Sequence, residues 1–279
     1  MTQTILITGC SSGMGLAAVA ACRRAGWNVV ATMRDPGHWK GDSDDAAIML
    51  CALDVTDAGS IDAAFSIAIQ RFGRVDCVVN NAGRGLLSVF EATPAETVAA
   101  VFATNVFGPM AVMRAAIKHM REAGGGRIIN VTSGSAIVPE PLMSIYSASK
   151  AALDTFTESA LFELAPQAIE LKLIVPGFVP GTGFVEQTQA AAQDVSVPPA
   201  YVSYVNQRIA SYSTPGPMTF ATDDDVANAI LAAAVDQTGQ LRWLVGPDVA
   251  EFGHMRWGTS EAQYAVWTHS RFAAEPITP

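Results

Sequence analysis

Apolar residues in this chain fall into two kinds of run. Short ones, near residues 4–9, 28–34, 48–54, 75–80, 127–133, 170–175 and 241–246, read as strands, that at 4–8 as a buried one. Between them lie longer stretches with apolar positions at helical spacing, such as Leu16, Val19, Ala20 and Cys22. Strands apolar on both faces and separated by helices predict a parallel, doubly wound sheet covered by helices on each side. Punctuation agrees with this, since Gly26 and Gly73 stand where helices should stop and Ser60 where one should begin. Asp223-Asp224-Asp225 precedes the helical stretch Val226 to Ala234, so capping and dipole compensation account for it without chemistry.

The alternation breaks between about 178 and 220, where Pro180, Pro198, Pro199, Pro215 and Pro217 are mixed with Phe184, Tyr201, Tyr204 and Tyr212. Ligands bind beyond the carboxyl ends of strands in such sheets, so a small substrate-covering lobe is expected there, with a surface excursion or subunit contact as the alternative. The chain then divides into a core (1–177), this lobe (178–220) and a last helix, strand and tail (221–279) within one domain. In the tail, His254, Met255 and Trp257 are candidates to close the substrate pocket, while Trp243, Trp257 and Trp267 suit core or subunit contacts. Thr93-Pro94-Ala95-Glu96 matches a capping box with proline first in the helix, which starts a helix near residue 94 and puts Pro109 in its interior. Lacking an N–H, Pro109 leaves the Asn105 carbonyl in need of another partner, for which a water is natural, with a proline kink that serves packing alone as the alternative.

Half of the 279 residues are hydrophobic and only 15% are charged, as a sheet covered on both faces requires. The net charge of −9 argues against nucleic acid or an anionic membrane as partner. Met1 leads almost directly into the first strand, so no secretory leader is expected, and the apolar stretch from Thr97 to Met113 reads as a buried helix, since it contains Asn105, Gly108 and Pro109. Cys10, Cys22, Cys51 and Cys77 form no C-x-x-C pair and suit reduced thiols in the cytoplasm. His38, His119, His254 and His269 lack ligand spacing, so no metal site is expected.

Chemistry concentrates in two places. Tyr146 and Lys150 lie i, i+4 on a helix and face the same way. A phenol with a free pKa near 10 needs a neighbouring cation to favour its phenolate, and Lys150 can be that cation. Ser133, upstream at the end of a strand run, can hold a carbonyl oxygen while Tyr146 gives or takes its proton. At the N-terminus, the strand Thr4–Thr8 runs into Gly9-Cys-Ser-Ser-Gly13-Met-Gly15 and then a helix, a turn whose small residues and free N–H groups suit a pyrophosphate.

Taken together, Thr8-Gly9-Cys-Ser-Ser-Gly13-Met-Gly15, Asp54-Val55, Asn80-Asn81-Ala82-Gly83, Asn105, Ser133, Tyr146-x-x-x-Lys150 and Pro176-Gly177 resemble the classical short-chain dehydrogenase/reductase family from Thr4 to roughly Val245. That resemblance implies a Rossmann fold with a seven-stranded parallel sheet. It implies catalytic roles for Asn105, Ser133, Tyr146 and Lys150, and a water near Asn105 that relays protons from the lysine. Dinucleotide contacts are implied for Gly9, Ser11, Ser12, Gly13, Met14, Gly15, Asp54, Val55, Asn81, Ala82, Gly83, Tyr146, Lys150, Pro176, Gly177 and Val179. The family's threonine after the Pro-Gly pair is displaced by one residue here, so Thr182 stands in for it.

At the tip of the second strand the acidic residue that would bind the ribose diol of NAD is replaced by Met33, and Arg34 follows. Arg34, with Ser12, suits a 2′-phosphate and so NADP(H), while Asp35 keeps NAD(H) open. Arg84 suits an anionic substrate group or a solvated loop. The resemblance points to the branch holding hydroxysteroid and retinol dehydrogenases and bacterial ketone reductases, to a small carbonyl or alcohol substrate, and to a homodimer or homotetramer. The alternatives are an NAD-dependent dehydrogenase and a dinucleotide-sensing regulator without turnover.

Overall fold

All seven apolar runs become strands. In the computed structural model, which describes residues 2–42, 44–180, 188, 196–213 and 219–273, these are β1 (Thr4–Thr8), β2 (Asn28–Met33), β3 (Ile48–Ala52), β4 (Cys77–Asn80), β5 (Gly126–Val131), β6 (Ile169–Pro176) and β7 (Arg242–Val245). They pair in parallel throughout, in the order β3-β2-β1-β4-β5-β6-β7. Winding therefore reverses between β1 and β4, and a crevice opens beyond the carboxyl ends of those two strands.

The helices are α1 (Gly13–Arg24), α2 (Ala58–Phe72), α3 (Ala95–Phe102), α4 (Gly108–Glu122), α5 (Ser144–Leu164), α6 (Val202–Ser213), α7 (Asp223–Val235), α8 (Pro247–Gly258) and α9 (Glu261–Phe272). Side chains alternate across each strand, so β1 sends Ile5 and Ile7 into the core beneath α1 and α7 and Leu6 into the core beneath α2, α4 and α5. Burial on both sides is why a central strand such as β1 reads as a nearly continuous apolar run. A third, smaller core joins Ile137 and Val138 to Val249 and Phe252 of α8 and to Trp267 of α9, and thus fastens the tail to the β5–α5 connection.

Helix ends follow the expected chemistry with two corrections. Thr222 and Asp225 form a reciprocal capping box at α7, so the acidic run is structural. α2, however, begins at Ala58 with Asp57 as its cap, and Ser60 instead accepts the Asp54 N–H at 2.7 Å. The box expected at 93–96 does not form either: the Thr93 hydroxyl is turned back toward Ser88 Oγ and the Val89 carbonyl, each at 2.8 Å, and Pro94 takes the cap position.

The helical run 95–122 is apolar and long enough to cross a bilayer by composition alone. Here Val112, Met113, Ala116 and Met120 pack it into the core. It is not one α-helix with Pro109 in its interior. Residues Ala103–Phe107 take the wider π register, with Gly108 N–H donating to the Ala103 carbonyl, and Pro109 falls in the first turn of α4. Proline offers no N–H to the carbonyl four or five residues back, so neither register continues through it.

Of the segment 178–220, Tyr201, just before α6, donates its hydroxyl to Glu91 of the core at 2.5 Å, and Arg208 of α6 donates to the carbonyls of Phe272 and Ala273 in the tail. Thr182, Phe184, Pro215 and Pro217 lie outside the described residues.

Asn130 fixes how α5 sits on the sheet, because its amide donates to Thr157 Oγ1 and accepts from Asn80 Nδ2, both at 2.8 Å and fully buried. Asn130→Leu should therefore cost about 2 kcal/mol in chemical denaturation, the penalty of stranding a buried donor. A change of a few tenths would mean that the network does not hold the helix.

Candidate active site

The turn after β1 is held by one hydroxyl. Thr8 Oγ1 donates to the Val79 carbonyl at 3.3 Å and accepts from the N–H groups of Asn81 and Ala82, both at 3.0 Å. Asn81 Nδ2 answers with bonds to the carbonyls of Thr8 (2.9 Å) and Gly9 (3.1 Å). Backbones then lie too close for side chains. A Cβ on Gly9, where φ is +74°, would sit 2.8 Å from Ala82 Cα, and one on Gly15 would sit 2.2 Å from the Gly9 carbonyl oxygen.

Ser12 caps α1 with extended backbone and makes no side-chain cap bond, so no hydroxyl of its own blocks the helix N-terminus. Ser11 and Gly13 are half-buried beside it, and Met14 packs against the core. Asn81 Oδ1 is buried with no hydrogen-bond partner among the described residues. A cradle that side chains would fill, beside a helix N-terminus, fits a dinucleotide pyrophosphate.

At the end of β2, Met33 is buried and Arg34 exposed. Asp35 is engaged elsewhere, accepting the Gly37 N–H at 2.8 Å with His38 Nδ1 3.4 Å away. Asp54 stands two residues past β3 rather than on it, and accepts the Thr56 N–H (2.9 Å) and hydroxyl (2.7 Å). Those bonds hold its carboxyl below the usual range, and the Arg34 charge adds to them. Val55 packs against Gly108, where a Cβ would meet it at 2.8 Å.

α5 carries Tyr146 and Lys150 one turn apart, with Lys150 Nζ 5.9 Å from the centre of the Tyr146 ring. Nζ donates to the Val131 carbonyl at 2.9 Å, and burial pushes its pKa down to about 8. Burial pushes the Tyr146 phenol up to about 12, reinforced by the charge of Glu140 and opposed by a hydrogen bond to Ser133. Ser133 caps a short 3-10 turn, its Oγ accepting the Ser135 N–H at 3.2 Å.

Asn105 is fully buried in the π segment. Its amide clasps the backbone of Arg84, accepting the N–H at 2.8 Å and donating to the carbonyl at 2.9 Å, and also donates to Ser149 Oγ at 3.0 Å. Ser149 in turn donates to the Tyr146 carbonyl at 2.7 Å. Gly83 lies against both groups, a Cβ there meeting Lys150 Nζ at 3.5 Å and Asn105 Oδ1 at 3.7 Å. Arg84 thus serves through its backbone, with an exposed residue surface.

β6 delivers Pro176 and Gly177 to the same end of the sheet, with Val179 buried beyond them. The structure gathers Ser133, Tyr146, Lys150, Asn105 and the Gly83 turn in one place. Sequence reasoning missed Ser149, Glu140 and Asp248. Ser149 carried a usable signal, lying one helical turn after Tyr146; Glu140 and Asp248 are made relevant only by the fold.

A family model described as short chain dehydrogenase matches residues 3–193. An uncharacterized oxidoreductase of Schizosaccharomyces pombe is 35% identical over 208 residues, 74% of this chain and 68% of that protein. The 3-ketodihydrosphingosine reductase of Bacteroides thetaiotaomicron is 34% identical over 184 residues, 66% of each. A short-chain dehydrogenase from Streptomyces avermitilis superposes with a TM-score of 0.80 at 30% identity over 99% of both chains. Two further structures hold cofactors: one from Burkholderia cenocepacia with NADP (TM-score 0.74, 25% identity, 98% of both chains) and a 3-ketoacyl-(acyl-carrier-protein) reductase from Brucella melitensis with NADH (0.72, 26%, 87% of this chain and 96% of that one).

Thr8→Val keeps the shape of the side chain but strands two N–H groups. It should lower the melting temperature by several degrees and weaken dinucleotide binding about tenfold, with Thr8→Ser restoring both. Unchanged binding in Thr8→Val would separate the hydroxyl from the turn.

Proposed function

This chain belongs to the short-chain dehydrogenase family and is an oxidoreductase, and from that premise we propose an NADP(H)-dependent carbonyl reductase or alcohol dehydrogenase for fairly apolar ketones and secondary alcohols. The observation that carries this reading is Tyr146 hydrogen-bonded to Ser133 and one turn from a buried Lys150, beside a turn shaped for a pyrophosphate. Bound there, the nicotinamide would donate or accept the hydride.

The chain's own residues manage the oxygen and its proton. Ser133 holds the substrate oxygen by hydrogen bonding. Tyr146, kept protonated by burial, gives its proton to that oxygen in reduction and recovers one afterwards, with Lys150 as the polar group next along the helix. Asn105 fixes the loop at Arg84 and the start of α5 relative to one another. The lobe supports an apolar substrate, since Phe178 is 47% exposed just past Gly177 and meets Phe220 edge-on at 5.2 Å. A relative named as a reductase of 3-ketodihydrosphingosine agrees in reaction class.

The preference for NADP(H) is supported by an exposed Arg34 and by Asp35 already occupied with Gly37 and His38. Arg34 would hold a 2′-phosphate by paired, charge-assisted hydrogen bonds. A homo-oligomer in the cytoplasm is the accompanying proposal, in keeping with four free, buried thiols and with Phe162 on α5, 74% exposed.

Two assays decide the reading. NADPH oxidation with a panel of aryl ketones, diketones and keto esters should give turnover that Tyr146→Phe lowers about a thousandfold; turnover that survives in the variant rejects the tyrosine mechanism. Arg34→Asp should raise the KM for NADPH by at least about tenfold while leaving that for NADH nearly unchanged; equal changes in both reject the phosphate role of Arg34.

A further inference from the structure

The tail places one carboxylate where the proposed chemistry has no direct use for it. Asp248, in the first turn of α8, is only 5% exposed. Its Oδ2 accepts the Phe178 N–H at 2.7 Å, and its Oδ1 is buried with no hydrogen-bond partner among the described residues. An incompletely satisfied buried carboxylate is costly, and its position at a helix N-terminus offsets only part of that cost.

Two glycines from different strand ends make the slot it occupies. A Cβ on Gly177, just past β6, would lie 2.0 Å from Oδ1, and one on Gly246, just past β7, would lie 2.6 Å from it. Gly246 also has φ at +118°, which side-chain-bearing residues rarely adopt. Gly177 N–H donates to the Val245 carbonyl at 2.9 Å, so the pairing of β6 with β7 runs up to this turn and delivers both glycines to the same carboxylate. Without Asp248, Phe178 N–H would lose its partner where the ladder ends.

We infer that Asp248 is a positioning residue that holds the turn Gly177–Val179 in the shape that receives the nicotinamide half of the cofactor, an inference that rests on the oxidoreductase reading above. Asp248 acts through the Phe178 backbone, and the glycine of the Pro176–Gly177 pair serves partly to admit its carboxylate. The adenosine half, held by Arg34 and the Gly9–Gly15 turn at the other end of the crevice, is independent of it.

Dissociation constants measured by tryptophan fluorescence test this without turnover, using NADPH, NADH, 2′,5′-ADP and 5′-ADP against the wild type, Asp248→Ala and Asp248→Asn. Asp248→Ala should weaken the preferred dinucleotide about tenfold while its matching ADP fragment stays within about twofold. Asp248→Asn keeps an acceptor for Phe178 N–H and should recover to within about threefold. Gly177→Ala, which fills the slot from the other side, should reproduce the Asp248→Ala pattern and serves where that variant does not fold. Equal weakening of dinucleotide and fragment, no weakening of either, or no recovery with asparagine overturns the positioning role. A wild-type protein that binds neither dinucleotide overturns the oxidoreductase reading itself, a different result from selective loss among variants.

Discussion

The close approach of β1 to the end of β4 is the constraint on which the site depends. The β1–β4 ladder ends at Ile7 and Val79, where the connections to either side wind in opposite directions. The Thr8 hydroxyl takes over with three bonds, and the Asn81 amide adds two more. Side chains at Gly9 or Gly15 would force the two backbones apart. From this junction an almost unbroken chain of bonds leads to the chemistry: the turn after Ala82 reaches Arg84, whose backbone is clasped by Asn105, which bonds Ser149, which bonds the Tyr146 carbonyl. The Gly9–Gly15 turn and Tyr146 are therefore parts of one hydrogen-bonded framework.

Burial then sets the electrostatics of that framework. Removing Tyr146 and Lys150 from water disfavours the charged form of each, which raises the phenol and lowers the ammonium. A phenol raised in this way stays protonated at neutral pH. Sequence spacing alone gave Lys150 the task of lowering the tyrosine. In the structure, burial raises the phenol most strongly, and the Ser133 hydrogen bond opposes it.

The sheet was legible because its central strands, such as Thr4–Thr8, are buried on both faces and read as short apolar runs between helical stretches. The Gly turn, Ser133 and the Tyr146–Lys150 pair were legible for a related reason, as each lies at a strand end or on one helical face. What escaped notice depended on competition between neighbours. Nothing in Asn28–Asp35 tells that Asp35 will fold back onto Gly37, and Thr93 looks like a cap until Ser88 and Val89 claim its hydroxyl. Asp248 was invisible because its partners, Gly177, Phe178 and Gly246, come from two other strand ends.

The π segment shows how one missing N–H can organise two helices. α3 directs Val101 toward Leu86 and Ile145, while α4 directs Val112, Met113 and Ala116 toward the core beneath the sheet. A single α register must keep one face along its length, and these two groups are packed against different partners. The wider turn at Ala103–Phe107 changes the phase between them and turns Asn105 inward, fully buried, to meet both Arg84 and Ser149. Pro109 ends the wide register by offering no donor to either Thr104 or Asn105, so α4 resumes with its core face in place. The proline expected to interrupt a helix instead marks where the correct register begins again.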